Sequence, residues 1–328
     1  MTPLLRVRDL CVDFRTADGL VRAVDRVSLD VMPGRMLGIV GESGSGKSAL
    51  WLGVLGLLTH NGRVSAGTAH YLDTDLLAAS ETARAALRGK EVAMIFQDPV
   101  AALNPIRRIG KQIAETIRVH ENVSAATARE RTLQTLKDVG IRNPDLVAQQ
   151  YPHELSGGMC QRVMIGMAIA CRPKLLVADE PSTALDVTIQ AQIINLLSEL
   201  KVRLGMAIVL ITHDLGVIAA AADEVAVMYA GRLVERSETV ALFAKPAHPY
   251  TKALLDALPQ PGARDRRLGS IPGQIPSASE RLPGCRFEPR CAQAMPRCAV
   301  EEPQAHVDAD GRFSLCHLAD ATPAERMP

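Results

Sequence analysis

A glycine-rich stretch of the chain has the residue types and spacing needed to hold a phosphate chain. Residues 41–48 read Gly-Glu-Ser-Gly-Ser-Gly-Lys-Ser, which fits G-x-x-x-x-G-K-[ST]. In such a loop, backbone N–H groups turn toward phosphate oxygens, and the following helix N-terminus adds partial positive charge. Lys47 is expected to reach the β- and γ-phosphates, and the Ser48 hydroxyl to bind Mg²⁺. The residues predicted to cradle the phosphates are Gly41, Ser43, Gly44, Ser45, Gly46, Lys47 and Ser48.

A second stretch ends in two adjacent carboxylates. Residues 175–180 read Leu-Leu-Val-Ala-Asp-Glu, an apolar strand pattern followed by an acid pair. Asp179 is expected to hold Mg²⁺ through water, and Glu180 to orient or deprotonate the attacking water. Adjacent acids at a strand end are also common in solvated turns. The pair indicates a catalytic site only because the phosphate loop is present in the same chain. Together the two motifs predict a nucleotide triphosphatase that uses Mg²⁺.

The elements that must position these motifs follow from the hydrophobic pattern. Short apolar runs at 36–40, 92–96, 175–178 and 207–211 predict strands that are buried on both faces. Between the last two runs, apolar residues at spacings of three and four predict a helix. Asp186 is its expected N-cap, and Gly205 is expected to end it. Strands that alternate with helices predict an α/β core with a mostly parallel sheet.

Three further regions differ from this core. Alternating segments at 5–14 and 21–31, separated by residues 17–19, predict an antiparallel β layer before the core. Helical patterns replace strands from about 106 to 169, which predicts an inserted helical subdomain. Residues 225–234 predict a hairpin, and the proline-rich chain beyond it predicts a loop-rich C-terminal appendage.

The composition excludes several classes of protein. Hydrophobic residues make up 47% of the 328 residues, which is enough for a sizeable core and excludes a mainly disordered chain. Lys and Arg total 37 against 36 acidic residues, so we expect no nucleic-acid partner. No apolar run approaches the roughly 18 residues that span a bilayer, and the first ten residues lack the apolar stretch of a secretory signal. We therefore expect a soluble cytoplasmic protein.

Further motifs resemble those of the ABC-transporter ATPases, a family of P-loop NTPases. Residues 155–158, Leu-Ser-Gly-Gly, resemble the family's signature motif, and Gln97 resembles its Q-loop glutamine. Residues 182–186, Ser-Thr-Ala-Leu-Asp, resemble the D-loop, and His213 lies in a segment similar to the switch-histidine loop. The motifs occur once each and in the family's order, and the resemblance covers residues 1 to about 240.

The resemblance implies how the site residues act. Two such domains sandwich two ATP molecules head to tail, and each site combines the phosphate loop of one subunit with the signature loop of the other. It implies that His213 contacts the γ-phosphate and that Gln97 senses Mg²⁺ and the water. Phe14 is the expected platform for adenine, although taken singly it fits a core position equally well. The remaining nucleotide-contacting residues that the resemblance implies are Ser156, Gly157, Gly158 and Asp186.

The C-terminal region narrows the resemblance to one group. Residues 248–255, His-Pro-Tyr-Thr-Lys-Ala-Leu-Leu, resemble the segment that follows the cassette in ATPase subunits of dipeptide and oligopeptide importers. This implies a subunit, peripheral on the cytoplasmic face of the inner membrane, that hydrolyses ATP to energise import of di- and oligopeptides. It also implies two transmembrane permease subunits, an external solute-binding protein and a second ABC ATPase in a heterodimer. Members of the group also import nickel, glutathione or sugar conjugates, so the cargo stays open.

Four of the seven cysteines lie close together in the appendage. They are separated by 5, 6 and 17 residues, and no C-x₂₋₄-C pair typical of zinc sites occurs among them. The spacing resembles the four-cysteine site of the same importer group, which implies a [4Fe–4S] cluster; zinc and free thiols are the alternatives. Arg286, Arg290 and Arg297 each adjoin one of these cysteines and are expected to offset the charge of a cluster. The predicted ligands are Cys285, Cys291, Cys298 and Cys316.

We therefore expect an ABC ATPase domain at residues 1–240, with its helical subdomain at about 106–169, and a C-terminal domain at 241–328.

Three other classes of protein remain as alternatives. A chromosome-structure or DNA-repair ATPase would need a long insertion between Gln97 and the signature motif, where only about 58 residues lie. A translation-associated ABC protein would carry two cassettes on one chain. A regulatory module without turnover is disfavoured by Glu180 and His213.

Overall fold

Strands and helices alternate along most of the computed structural model, which describes residues 2–17, 19–182, 185–258, 271–277, 280 and 282–320. The strands of this part of the chain are β1 (Leu5–Thr16), β2 (Gly19–Val31), β3 (Met36–Val40), β4 (Gly62–Tyr71), β5 (Thr74–Asp75), β6 (Val92–Ile95), β7 (Leu175–Asp179), β8 (Ala207–Ile211), β9 (Glu224–Tyr229), β10 (Arg232–Glu238), β11 (His306–Val307) and β12 (Phe313–Ser314). The α-helices are α1 (Lys47–Val54), α2 (Glu81–Leu87), α3 (Pro99–Ala102), α4 (Ile109–His120), α5 (Ala125–Asp138), α6 (Pro144–Gln149), α7 (Gly157–Ile169), α8 (Val187–Leu204), α9 (Leu215–Ala221), α10 (Thr239–Ala244), α11 (Pro249–Asp256), α12 (Pro296–Val300) and α13 (His317–Asp320).

These elements belong to two compact units, each assembled from separate stretches of the chain. The first unit comprises Met1–Leu4, Val31–Met36 and Ala78–Ile211. The second comprises Leu5–Asp30, Leu37–Leu77 and Thr212–Pro328. No helix among the described residues is long and apolar enough to cross a bilayer.

The first unit contains three parallel strands. Leu175 of β7 pairs with Val92 of β6 on one side and with Ala207 of β8 on the other. Every residue of β7 and β8 is buried. Because side chains alternate between the two faces of a strand, this burial means that both faces are covered. The predicted strands are confirmed, except that β6 ends at Ile95 and leaves the next residue, Phe96, 44% exposed.

Helices α3 to α7 of the first unit occupy the region where the sequence predicts a helical subdomain. On α4, Ile109, Ile113 and Ile117 lie four residues apart and are fully buried, which makes one apolar stripe. This helix packs against α5, α6 and α7. Helical structure begins at Pro99, a little before the predicted start at 106.

Helix α8 of the same unit begins and ends where the sequence predicts. The Asp186 carboxylate accepts a hydrogen bond from the Ile189 N–H at 2.9 Å, which caps the helix N-terminus. Gly205 ends the helix with φ 65°, in the left-handed conformation that glycine adopts without strain.

The second unit contains an antiparallel sheet with strand order β2-β1-β4-β5. Strand β1 pairs antiparallel with β4, and β4 pairs antiparallel with β5. This is the predicted antiparallel layer, extended by two strands that the sequence did not indicate. Of the predicted turn at 17–19, Asp18 lies outside the described residues.

The rest of the second unit is built on the strand that precedes the phosphate loop. Strand β3 pairs in parallel with β9, and β9 forms the predicted hairpin with β10. The C-terminal region adds β12 to β10, with Glu235 opposite Ser314, and β11 to β12. Residues 259–270, 278, 279, 281 and 321–328 of the predicted appendage lie outside the described residues, and the domain boundary at residue 240 stays a prediction.

Candidate functional site

The glycine-rich loop connects β3 with α1, and close backbone contacts require two of its glycines. Gly41 has a φ of 152°, and a Cβ there would lie 2.1 Å from the carbonyl oxygen of Met228. Gly46 has a φ of 94°, and a Cβ there would lie 2.3 Å from the carbonyl oxygen of Ala23. Both obstacles are backbone atoms, which cannot turn aside as a flexible side chain can. The chain therefore needs glycine at both positions to form this loop.

Lys47 bends back over the loop that precedes it. Its Nζ donates hydrogen bonds to the carbonyl oxygens of Gly41 at 2.8 Å and Glu42 at 2.9 Å. The side chain is buried, as is that of Ser45, whereas Ser43 and Gly44 are exposed and Ser48 is half-buried. The loop thus holds the Lys47 ammonium group against its own backbone. This group supplies the positive charge that binding of a triphosphate needs.

The predicted acid pair lies at the end of β7 in the first unit. Asp179 is buried, and Glu180 is half-buried just beyond the strand. The Nε2 of Gln97 donates a hydrogen bond of 3.3 Å to Oε2 of Glu180. The two residues meet because β6 and β7 are parallel neighbours and each residue lies two positions beyond the paired residues Ile95 and Ala178. The fold thus brings two predicted catalytic residues together.

Glu180 adopts an uncommon backbone conformation. Its φ is 46°, in the left-handed region that side-chain-bearing residues rarely adopt. Its N–H donates to the Ile211 carbonyl oxygen at 2.9 Å, so the strained residue is fixed against β8. Such strain occurs disproportionately at functional sites.

The signature residues lie at the N-terminus of α7, in the first unit. Ser156 is the N-cap, and its Oγ accepts a hydrogen bond from the Met159 N–H at 3.4 Å. Ser156 and Gly157 are exposed. A Cβ on Gly158 would lie 3.2 Å from the Ile189 side chain, which places this turn beside the start of α8.

The D-loop segment leads into α8. Asp186 is exposed, and its carboxylate caps α8. Thr183 and Ala184 of this segment lie outside the described residues. The helix cap is a structural role, and a contact of Asp186 with nucleotide stays a prediction.

His213 is exposed on the loop between β8 and α9, in the second unit. The preceding residue, Thr212, donates its N–H to the Ile39 carbonyl oxygen on β3 at 3.1 Å. Asp214 follows and caps α9 through hydrogen bonds from Gly216 and Val217 at 2.7 and 3.3 Å. The loop that carries His213 is therefore fastened to the strand that leads into the phosphate loop.

Phe14 lies near the end of β1 and is half-buried. Its ring packs on Gly62 of β4, where a Cβ would lie 2.7 Å from Cε1. Strand β1 packs against α1. The role of Phe14 as a platform for adenine stays a prediction.

The phosphate loop has two contacts that the sequence pattern did not predict. Glu42 forms an ion pair with Arg290, with Nη1 and Oε2 2.8 Å apart, and its N–H donates to the Tyr250 hydroxyl at 3.0 Å. We expected Arg290 to offset a cluster, as we did Arg286 and Arg297. That charge offset stays a prediction. Among the described contacts, Arg286 forms an ion pair with Asp25 and Arg297 donates to a backbone carbonyl oxygen. The sequence marked these residues only indirectly. Arg290 stands beside a cysteine, and Tyr250 ends the His-Pro-Tyr string.

The four cysteines of the appendage lie in the second unit. Cys298 and Cys316 are buried, and Cys285 and Cys291 are half-buried. Burial, together with a smaller contribution from neighbouring thiols of the set, raises the pKa of the Cys285 thiol to about 11 and that of Cys316 to about 12. No group of three or more His, Cys, Asp or Glu side chains within the described ranges is arranged to hold a metal ion.

Backbone N–H groups lie close to each of these sulfurs. Those of Phe287 and Glu288 act to lower the pKa of the Cys285 thiol, and those of Gln293 and Leu318 act in the same direction on the pKa of Cys291 and of Cys316. The N–H of Met295 donates to Cys298 at 3.5 Å. Such donors stabilise thiolates rather than thiols.

Two protein-family models match the chain. The ABC transporter model matches residues 24–183. The model of the oligopeptide/dipeptide transporter C-terminal region matches residues 234–298, a range that contains Tyr250, Arg290 and three of the four cysteines.

Similar proteins cover nearly the whole chain. The dipeptide transport ATP-binding protein DppD of Escherichia coli is 53% identical over 314 residues, which cover 96% of each chain. The oligopeptide transport ATP-binding protein AppD of Bacillus subtilis is 43% identical over 327 residues, 99% of this chain and all of the relative. The solved structure of CbiO1 from Clostridium perfringens, part of an ABC transporter complex, has a TM-score of 0.64 at 26% identity and covers 75% of this chain and 92% of that one. The dimeric cassette MJ0796 with bound ADP and Pi shares the fold, with a TM-score of 0.65 at 23% identity over 72% of this chain and 98% of that one. The chain therefore belongs to the family of ATP-binding proteins of dipeptide and oligopeptide ABC transporters.

Proposed function

We propose that this chain hydrolyses ATP to energise the import of di- or oligopeptides across a cytoplasmic membrane. The observation that carries the ATPase assignment is the Gln97–Glu180 hydrogen bond at the end of β7, with Glu180 in a strained backbone conformation. The peptide cargo rests on the near full-length similarity to DppD and AppD. Another cargo, such as nickel, glutathione or a sugar conjugate, is the alternative.

The phosphate loop binds the triphosphate in this proposal. Backbone N–H groups of the loop and the N-terminus of α1 attract the phosphate oxygens. Lys47 exchanges its hydrogen bonds with Gly41 and Glu42 for the β- and γ-phosphates. Ser48 and Asp179 supply hydroxyl and carboxylate oxygens, which are the ligands that Mg²⁺ prefers. Mg²⁺, when bound, neutralises charge that develops on the phosphate oxygens.

Glu180 acts on the attacking water. A half-buried carboxylate at the strand end can accept a proton or orient the water for attack on the γ-phosphorus. Gln97 fixes the carboxylate through its 3.3 Å hydrogen bond and responds to the water. His213 binds the γ-phosphate and holds the water in line with it.

A second ATPase subunit completes the site. The exposure of Ser156 and Gly157 at the N-terminus of α7 supports this, because an N-cap turn open to solvent can bind a phosphate carried by another chain. The partners in this proposal are a similar but distinct ATPase, two permease subunits that receive the motion through the Gln97 region, and an external solute-binding protein. The chain then works at the cytoplasmic face of the membrane.

Four cysteines hold a [4Fe–4S] cluster in this proposal, with zinc as the alternative. The donor set fits, because each of the four cysteine sulfurs lies near backbone N–H groups that favour the thiolate, and the other three influence the pKa of Cys316. In such a cluster each thiolate binds a different iron, so the sulfurs need not surround one ion. When bound, the cluster supplies a cross-link between distant chain segments and a one-electron redox centre.

Iron analysis of the full-length chain, purified without oxygen, tests the cluster. We expect a brown protein with about four irons per chain. Cys291→Ser should lose the colour and the iron, whereas Cys171→Ser should keep both, since Cys171 is a buried thiol in the first unit. A colourless protein with one zinc per chain would reject the cluster.

Peptide-stimulated ATP turnover tests the proposed function. The chain is copurified with its membrane partners, reconstituted with the solute-binding protein and supplied with di- and oligopeptides, Ni²⁺ or glutathione in parallel. We expect peptides to raise the rate of phosphate release. Stimulation by Ni²⁺ or glutathione alone would show that one of these, and not a peptide, is the cargo. The absence of any ATP turnover would reject the proposed function.

A further inference from the structure

Glu42 places a negative charge inside a loop that binds a polyanion. It is the second residue of the glycine-rich loop, and its carbonyl oxygen already accepts a hydrogen bond from Lys47 at 2.9 Å. A carboxylate within several ångströms of a triphosphate opposes binding, because like charges repel strongly where the protein lowers the effective dielectric. The loop therefore needs a compensating positive charge at this position.

Arg290 supplies that charge from the C-terminal region. Its Nη1 donates to Oε2 of Glu42 at 2.8 Å, and its Nη2 donates to Oε1 at 3.1 Å, a bidentate pair. The Arg290 side chain is 3% exposed, and that of Glu42 is 31% exposed. Burial of the arginine lowers the local dielectric and makes the pair stronger than a surface ion pair.

Further contacts fix the direction of the guanidinium group. Its Nε donates to the Pro272 carbonyl oxygen at 2.9 Å, and Nη2 also donates to that of Ile271 at 3.3 Å. Nη1 lies 3.4 Å from the Tyr229 hydroxyl. These three further acceptors hold the arginine in one orientation, toward Glu42.

Tyr250 holds the backbone of the same loop residue. Its hydroxyl accepts the Glu42 N–H at 3.0 Å, and the side chain is fully buried. The ring packs on Tyr229 and Phe287, with centroids 4.6 and 5.3 Å apart, so it has little freedom to move. The His-Pro-Tyr string thus ends in a residue that fastens the phosphate loop.

We propose that the C-terminal region positions the phosphate loop for nucleotide binding through Glu42, with Arg290 neutralising its carboxylate and Tyr250 fixing its backbone N–H. This inference rests on the proposed function, because it concerns the affinity of the same loop for ATP. Arg290 and Tyr250 are positioning residues, which act on the loop rather than on the nucleotide. The residue after Arg290 is Cys291, so the proposal also links the four-cysteine segment to the nucleotide site.

A double-mutant comparison of MgATP binding tests this proposal. The dissociation constant is measured by titration of the full-length chain carrying Arg290→Gln, Glu42→Gln or both. We expect Arg290→Gln to weaken binding by about tenfold or more, because it leaves the carboxylate uncompensated near the phosphates. The double variant should bind at least about threefold more tightly than Arg290→Gln alone, since the repelling charge has been removed. Arg290→Lys, which restores the charge without the fork, should recover part of the loss.

Arg297→Gln is the matched control. Arg297 also directly precedes a cysteine of the same segment, but it donates to the His317 carbonyl oxygen and does not contact the loop. It should bind MgATP as the wild type does, at a similar melting temperature. Affinity within twofold of the wild type in Arg290→Gln, or a loss that Glu42→Gln does not relieve, would overturn the proposal. A wild-type chain that does not bind MgATP would instead reject the proposed function.

Discussion

Gln97 and Glu180 lie 83 residues apart in the chain and share a hydrogen bond of 3.3 Å. They meet because each follows the carboxyl end of one of two adjacent parallel strands, β6 and β7. The amide donates and the carboxylate accepts, so the contact orients the Glu180 side chain. A carboxylate held in this way is suited to act as a base toward water.

Glu180→Gln should abolish ATP hydrolysis and leave ATP binding intact. The substitution keeps the size of the side chain and one oxygen that can accept from Gln97, but it removes the basicity. We expect phosphate release by the assembled complex to fall by about 10²-fold or more, with the dissociation constant for MgATP nearly unchanged. Glu199→Gln, on the exposed side of α8, is the control and should keep the wild-type rate. Normal hydrolysis in Glu180→Gln would show that another group is the base.

Gly46→Ala should destroy the phosphate loop. The new Cβ would lie 2.3 Å from the Ala23 carbonyl oxygen at a φ of 94°, so either the loop or β2 must move. We expect MgATP binding, measured by titration, to weaken by at least about tenfold, because misdirected N–H groups no longer face the phosphates. Gly34→Ala is matched for backbone strain, since Gly34 has a φ of 70° with no atom within 4 Å of an added Cβ. Equal affinities of the two variants would mean that the close contact does not shape the loop.

His248 should make the stability of the second unit depend on pH. Burial lowers its pKa from 6.5 to about 4, so the folded chain resists protonation while the unfolded chain accepts a proton below about pH 6.5. His248 therefore does not lower the free energy of unfolding above about pH 6.5. As the pH drops from there toward 4, the free energy of unfolding falls by roughly a few kcal/mol.

His248→Asn isolates this effect. Asparagine is also a helix N-cap and can replace the His248 Nδ1 that accepts the Tyr250 N–H at 3.0 Å, but it does not titrate. The neighbouring Glu235, whose pKa is raised by burial, has the opposite pH dependence and is present in both proteins. Between pH 7.5 and 5, the melting temperature of the wild type should fall further than that of the variant. Parallel curves would contradict the assignment.

The sequence predicted those elements whose burial or end points are visible in a short stretch of residues. Strands β7 and β8 are continuous apolar runs because both of their faces are buried, and α8 carries its own cap residues at Asp186 and Gly205. The glycine-rich loop was predictable because glycine at 41 and 46 is a backbone requirement. These features depend on residues near one another in the chain.

Other features depend on contacts between distant segments and were missed. The Glu42–Arg290 pair joins residues 248 positions apart, and neither side chain is unusual in its local sequence. Strands β11 and β12 have two residues each, too few for alternation to be visible. Arg286 adjoins Cys285 in the sequence, but the ion pair that it forms with the buried Asp25 had no local signal. Adjacency in sequence fixes the backbone of a residue but not the direction of a long side chain.

In the proposed assembly, the exposed turn at Ser156 of one subunit completes the ATP site that the phosphate loop of another subunit forms. Electron cryomicroscopy of the membrane-assembled complex carrying Glu180→Gln, with MgATP, measures this directly. We predict a closed pair of ATPase subunits, with Ser156 Oγ about 3 Å from the γ-phosphate of the ATP that the partner subunit's phosphate loop binds. An open pair under saturating MgATP, with Ser156 remote from any triphosphate, would contradict it.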